Sequence, residues 1–195
     1  MMLRAIFIML MFSSIQLFAQ EETNYTPTKH QVSLSYYGEF VTHPGFRIGY
    51  LTPISQKTKV KNETNVVDKS WVVGGYFTYY KHKMNHDGLL FTGEIGRQRI
   101  SKSGFISSIN FEMGYMLAVL DGEVYTPTEN GFEKGAKADS YFTFGLNLGL
   151  GWDFEKKMNL PISAMVVPHF YFQAPYNTAV TARTALEVKF LYHLR

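Results

Sequence analysis

Residues 141–154 alternate between two kinds of side chain, and this alternation constrains the fold more than any other feature of the chain. The even-numbered positions are large and apolar: Phe142, Phe144, Leu146, Leu148, Leu150, Trp152 and Phe154. The odd-numbered positions are mostly small or polar: Tyr141, Thr143, Gly145, Asn147, Gly149, Gly151 and Asp153. A β-strand points successive side chains to opposite faces, whereas a helix would mix the two sets. The pattern therefore predicts a strand with one apolar face.

The same period of two recurs along the chain, and no useful window shows helical spacing. The other predicted strands cover about 31–41, from about 45 to 54, and about 70–82, 89–100, 105–120, 162–173 and 180–194. Breaker clusters separate them, for example His43-Pro44-Gly45. Two connections are long. Residues 55–70 continue the alternation and are predicted to form a protruding hairpin, and residues 121–139 are predicted to be a surface loop.

Alternation alone fits either a barrel in lipid or a soluble secreted barrel that binds a hydrophobic ligand. Two features favour lipid. The polar face carries many small residues, as a narrow eight-stranded interior requires. With both termini on the inner side, aromatic residues also fall near two levels, as the two bilayer interfaces select. The outer level holds Phe40, Phe46, Tyr79, Phe91, Phe142 and Phe172, and the inner level holds Trp71, Trp152, Phe154 and Tyr192.

The first 19 residues are predicted to be a cleaved signal peptide. Arg4 supplies the positive start, an apolar run follows from Ala5 to Leu17, and Ala19 suits the position before cleavage. Residues 20–195 then form one barrel domain. The absence of cysteine excludes a disulfide scaffold, a thiolate metal site and a cysteine nucleophile. A net charge of +3 is too small to indicate nucleic-acid binding.

Seven charged residues fall on the predicted inward face: Glu39, Arg47, Glu94, Glu112, Arg183, Glu187 and Lys189. Buried charges must be compensated, so we expect a network of mutual ion pairs that closes the barrel. The alternative is a polar path or a site built on paired carboxylates such as Glu94 and Glu112. His82 and His86 have the i, i+4 spacing of a helical metal site, but they lie at a hairpin tip where we expect the rings not to converge. No metal and no cofactor is predicted.

In pattern and length the chain resembles small eight-stranded outer-membrane barrels of the OmpA and OmpX type. The stretch from Tyr36 through His43-Pro44-Gly45 to Tyr50 also resembles barrels of the Bacteroidetes group. The last strand, with Phe190, Tyr192 and Leu194, resembles the terminal strand of such proteins, although Arg195 departs from their usual terminal Phe. These resemblances imply an all-β, eight-stranded, antiparallel up-and-down transmembrane β-barrel. They place it in the outer membrane, in contact with the bilayer and lipopolysaccharide.

Two functions remain open for such a barrel. The favoured one is a structural or accessory role without catalysis, in which the hairpin 55–70 and loop 121–139 contact partners such as a larger outer-membrane complex. The alternative is a lipid-modifying enzyme. His169 and Glu187 on neighbouring strands resemble part of the site of lipid A deacylase barrels, but Tyr171 stands where that family has its serine. Nucleophilic catalysis needs an activatable hydroxyl beside the base.

Overall fold

A computed structural model of the chain describes residues 30–60, 66–128, 131–176 and 179–194. The predicted signal peptide lies outside the described residues. Eight strands form the barrel: β1 (Gln31–Glu39), β2 (His43–Val60), β3 (Val66–His82), β4 (His86–Ser101), β5 (Phe105–Leu120), β8 (Ala138–Asp153), β9 (Ile162–Tyr176) and β10 (Ala179–His193). Two short strands, β6 (Tyr125–Thr128) and β7 (Gly131–Lys134), pair with each other in the connection before β8. A helix of one turn, α1 (Glu155–Met158), lies between β8 and β9.

Every barrel strand pairs antiparallel with its neighbours, and β1 closes the ring by pairing with both β2 and β10. Closure satisfies the backbone hydrogen bonds within the ring, as a strand structure in lipid requires. The predicted eight-stranded antiparallel barrel is confirmed. The end where β1 begins and β10 finishes is called the terminal end below. The opposite end, which carries the turns 40–42 and 83–85, is called the far end.

The two faces of the strands have opposite polarity. Large apolar side chains point outward and are exposed, including Leu34 (61%), Leu148 (52%) and Phe170 (66%). Charged side chains point inward, where Arg47, Glu39 and Glu187 are 0% exposed. A soluble barrel that binds a hydrophobic ligand has its apolar face inside. That alternative is therefore wrong, and the outward face is the lipid-facing surface of a transmembrane barrel.

The long connections differ in part from expectation. Residues 55–70 belong to β2 and β3, which pair from Ser55 with Trp71 to Val60 with Val66, so the predicted hairpin is present. It projects from the terminal end, because β1 begins opposite Leu51 and residues 52–60 continue past it. The connection 121–139 is not a plain loop, since it contains the β6–β7 hairpin and the start of β8.

Strand ends also shift where turns begin. β1 finishes at Glu39, and Phe40 and Val41 adopt positive φ angles of 46° and 65° in the turn that follows. β8 finishes at Asp153, so Phe154 is the N-cap of α1 and not a strand residue. Among the described residues, no helix is long and apolar enough to cross a bilayer.

Candidate functional site

The barrel interior is packed with side chains. Four buried tyrosines of the described residues, Tyr37, Tyr76, Tyr80 and Tyr171, contribute large rings to it. Glycine makes room for the rings of Tyr76 and Tyr80: a Cβ at Gly49 would lie 2.2 Å from the Tyr76 ring, and one at Gly88 would lie 2.3 Å from the Tyr80 ring. The small residues of the inward face thus allow large polar rings to cross a narrow interior, as eight strands leave little free space.

Arg47 holds the centre of the interior. Its guanidinium donates to both oxygens of Glu112, at 3.1 and 2.7 Å, and its Nε lies 3.9 Å from Glu187. Glu187 also lies 2.8 Å from Nε2 of His169 and 3.5 Å from Nζ of Lys189. Two carboxylates thus share three basic side chains. Compensation of this kind is what permits charges to be buried at all.

Glu94 belongs to the same interior but is held by neutral groups. The hydroxyl of Tyr76 donates to it at 2.5 Å. The side-chain amide of Asn147 donates to Glu94 at 3.2 Å and to Glu112 at 3.1 Å. The two carboxylates that the sequence suggested as a pair are therefore bridged by Asn147, and both are occupied by donors from the protein.

The structure thus brings all seven predicted charged residues into direct or once-bridged contact with others of the set, in two groups. Arg47, Glu94, Glu112, Glu187 and Lys189 form the central group with His169, Tyr76 and Asn147. Glu39 and Arg183 form a pair nearer the far end, 3.4 Å apart. Below, "interior network" means the central group.

Sequence reasoning missed Tyr76 and Asn147, because it treated only charged side chains as candidates. Both lie at inward positions of strands whose alternation was clear. Tyr76 lies under two cations, with the Arg47 guanidinium 3.9 Å and the Lys189 ammonium 4.7 Å from its ring centroid. A search for any polar residue of inward parity would have found them.

His169 lies inside the barrel. It is 3% exposed, and its ring nitrogens face Glu187 at 2.8 Å and Glu112 at 3.7 Å. The hydroxyl of Tyr171 donates to Glu39 and not to the histidine. The predicted proximity of His169 and Glu187 is present, but the histidine faces carboxylates within the interior and not a groove on the lipid side.

The side chains of the two predicted aromatic levels are exposed, apart from those of Tyr79 and Phe154, which are half-buried. Towards the far end they contact one another across strands. Ring centroids are 5.7 Å apart for Phe46 and Tyr79. Phe172 lies 5.5 Å from Phe144. Towards the terminal end, Trp152 lies 5.3 Å from Phe105. The exposed fraction is near 50% for Phe91, Phe142 and Tyr192, and it is 43% for both Phe40 and Trp71.

One expectation about histidines is wrong. His82 and His86 lie opposite each other across the β3–β4 turn, and their ring centroids are 5.1 Å apart. An i, i+4 pair converges here because a three-residue turn makes the two residues direct cross-strand partners. His43 comes closer still to His82, with 3.8 Å between ring centroids. The far end therefore carries a histidine cluster that the sequence did not reveal.

No protein-family model and no curated protein sequence matches the chain. Solved structures with a similar chain path include the following three. The outer membrane enzyme PagL has a TM-score of 0.48 and 14% identity, over 84% of this chain and 99% of that one. Neisserial surface protein A has a TM-score of 0.49 and 9% identity, over 86% of this chain and 96% of that one. The Yersinia pestis outer membrane protein Ail has a TM-score of 0.43 and 11% identity, over 86% of this chain and 100% of that one.

These similarities assign no role to any residue of this chain. The architecture stands on the chain's own geometry. The ring is closed, its outward face is apolar between aromatic levels, and its interior is polar. Those are the features of an integral outer-membrane β-barrel.

Proposed function

We propose that the protein is a non-catalytic accessory or structural component of the outer membrane, which contacts partners through its two projecting hairpins. The observation that carries this proposal is the interior network, whose carboxylates are held by the basic side chains of Arg47, His169 and Lys189 and by the neutral donors Tyr76 and Asn147. A plugged eight-stranded barrel offers no aqueous channel. Function is then expected at the surfaces outside the bilayer.

The β6–β7 hairpin supports this role at the far end. All residues of both strands that the structure describes are exposed, and among them Tyr125 is 55% and Phe132 is 77% exposed. Aromatic residues are enriched at protein interfaces, where they supply large contact area. A charged cluster stiffens the base of the hairpin, because Lys134 donates to Glu123 at 2.8 Å and Tyr125 donates to the same carboxylate at 2.5 Å.

The projecting part of β2 and β3 supports it at the terminal end. Lys57, Lys59 and Lys69 are exposed there. Lysines also protect a strand edge against non-specific pairing. This hairpin is tied to the barrel by Lys156 of α1, which contacts Asp68, while Thr58 donates to Asp68 at 2.7 Å. The hairpin is thus a positioned element with a basic surface suited to an acidic partner.

Site-specific photo-crosslinking in native membranes tests the proposal. A photoreactive residue replaces Phe132 or Lys59 in the full chain, and the control carries it at the lipid-facing Leu148. We expect a defined protein adduct from at least one hairpin position and none from the control. Absence of a protein adduct at both hairpin positions would contradict the accessory role.

The enzymatic alternative has its own test. We expect the lipid A mass spectrum to be the same for cells that express the wild type, the His169→Gln variant or no barrel. Loss of an acyl chain that depends on the wild-type protein and on His169 would replace the proposal with the hydrolase. The fold of the variant is checked by its heat-modifiable migration in electrophoresis.

A further inference from the structure

Three potential metal ligands meet inside the far-end mouth of the barrel. Glu39 is the last residue of β1, His43 is its direct partner at the start of β2, and His82 is the last residue of β3. One ligand atom from each of the three lies within 4.8 Å of the others. The three side chains come from adjoining strands of the closed ring, so the barrel itself fixes their positions.

Each of the three residues has a ligand atom without a hydrogen-bond partner. These atoms are Oε2 of Glu39, Nδ1 of His43 and Nδ1 of His82, and each is buried. A buried polar atom without a partner costs free energy, and native structures leave few of them. Here three such atoms belong to residues whose ligand atoms lie within 4.8 Å of one another, and one of them is on a carboxylate that is 0% exposed.

The other oxygen of Glu39 is held in place. Oε1 accepts from the Tyr171 hydroxyl at 3.2 Å and lies 3.4 Å from Nη1 of Arg183. These contacts fix the carboxyl so that Oε2 faces the histidines. A carboxylate oriented by outer partners is the usual arrangement around a bound metal.

We propose that Glu39, His43 and His82 bind a divalent transition-metal ion of the Zn²⁺ class. Two imidazoles and one carboxylate are a common ligand set for such ions. The separation of Oε2 of Glu39 and Nδ1 of His43 is 3.4 Å. Two ligands at about 2.1 Å from a tetrahedral ion lie about 3.4 Å apart. His43 is 18% exposed in its side chain, so an ion can reach the group through the mouth.

A second group of potential ligands, at the terminal end, is held together by hydrogen bonds. Asp153, Glu155 and His193 also lie within ligand distance of one another. There, however, Nδ1 of His193 lies 2.8 Å from Glu155 and Nε2 lies 3.0 Å from the Ser163 hydroxyl. Asp153 accepts from the backbone N–H of Glu155 at 2.9 Å. Hydrogen bonds account for this cluster without an ion, so it serves as the control.

Protonation is the competing explanation for the far-end group. A proton on His43 would form an ion pair with Glu39, and the cation Arg183 and the ring of His86, 5.1 Å from His82, face the same mouth. The close contact between the rings of His43 and His82 would then need no metal. The two explanations differ in what happens when Zn²⁺ is offered.

Zinc binding by the purified, EDTA-treated full-length barrel in detergent tests the proposal, with bound metal counted after equilibrium dialysis. We expect one Zn²⁺ per barrel, and a loss of affinity of at least about 100-fold in His82→Gln and His43→Gln. The His193→Gln control should bind as the wild type does. No stoichiometric binding by the wild type, or an equal loss in His193→Gln, would overturn the proposal.

X-ray absorption of the Zn²⁺-loaded wild type gives a readout that needs no variant. We expect a first shell with two imidazole nitrogens and carboxylate oxygen. A shell of oxygen atoms alone would overturn the assignment. Because the partner-binding role does not depend on this ion, failure of the metal site would leave the crosslinking result unaffected, and the converse also holds.

Discussion

Arg47 and Ile48 are neighbours in β2, yet they belong to opposite environments. Arg47 is 0% exposed and lies among carboxylates inside the barrel, whereas Ile48 is 45% exposed on the outward face. Stability on the inward face depends on the specific pairing of each charge. Stability on the outward face depends only on apolar character at the right depth. The inward face should therefore be sensitive to chemical detail, and the outward face mainly to polarity.

The largest effect is expected for Arg47→Met. Removal of the guanidinium takes from Glu112 the two hydrogen bonds that Arg47 donates, at 2.7 and 3.1 Å, and it takes one of three basic neighbours from Glu187. An uncompensated buried charge costs about 3–5 kcal/mol. The change in the free energy of unfolding is measured by urea unfolding in lipid vesicles.

Ile48→Met on the same strand is the matched control, with an expected cost below about 1.5 kcal/mol for an apolar replacement of similar volume. Equal costs for the two variants would show that the interior charges are not coupled as the contacts indicate. A double variant, Arg47→Met with Glu112→Gln, should recover part of the loss, because it removes the stranded charge with its partner.

The second largest effect is expected on the outward face, for Leu148→Arg. Leu148 pairs with Ile109 in the middle of the apolar band, between the aromatic levels. A cation there should cost about 2–4 kcal/mol. The same measurement on Glu133→Arg, in the exposed β7, should show a near-zero change. A negligible cost for Leu148→Arg would mean that this face does not meet lipid.

These two faces also show how far sequence reasoning reaches. Alternation predicts which residues share a face, so the inward placement of Arg47 and Glu112 follows from parity alone. Parity does not determine which residues of different strands come level, because that depends on register and on the stagger of the closed ring. The bridge from Asn147 to Glu94 and Glu112 and the meeting of Glu39 with His82 depend on such register. For the same reason the convergence of His82 and His86 was missed, since it follows from the length of one turn.

Gly49→Ala tests the crowding of the inward face. The added methyl would lie 2.2 Å from Cδ1 of Tyr76, whose ring is held by Arg47 and by its hydrogen bond to Glu94. We expect a cost of about 1–3 kcal/mol from overpacking. Gly75→Ala is the control, because nothing lies within 4 Å of its added methyl. It should stabilise the barrel by about 0.4–1 kcal/mol through the unfolded state. Equal effects at the two positions would contradict a packed interior.

The smallest effect is expected outside both faces, at the base of the β6–β7 hairpin. Hydrogen bonds from Lys134 and then from Tyr125 lower the pKa of Glu123. A lowered pKa means that this contact contributes to hairpin order at neutral pH and is lost as the pH falls through the pKa of the folded state. In Lys134→Met the pKa of Glu123 should therefore rise, as read from carboxyl NMR shifts in a titration. Because the pair is exposed, the free energy of unfolding of the barrel should not change in Lys134→Met, whereas it should fall in Arg47→Met. A pKa that stays the same would show that the hairpin base is not held by this pair, while a destabilised barrel would show that the hairpin is coupled to the ring.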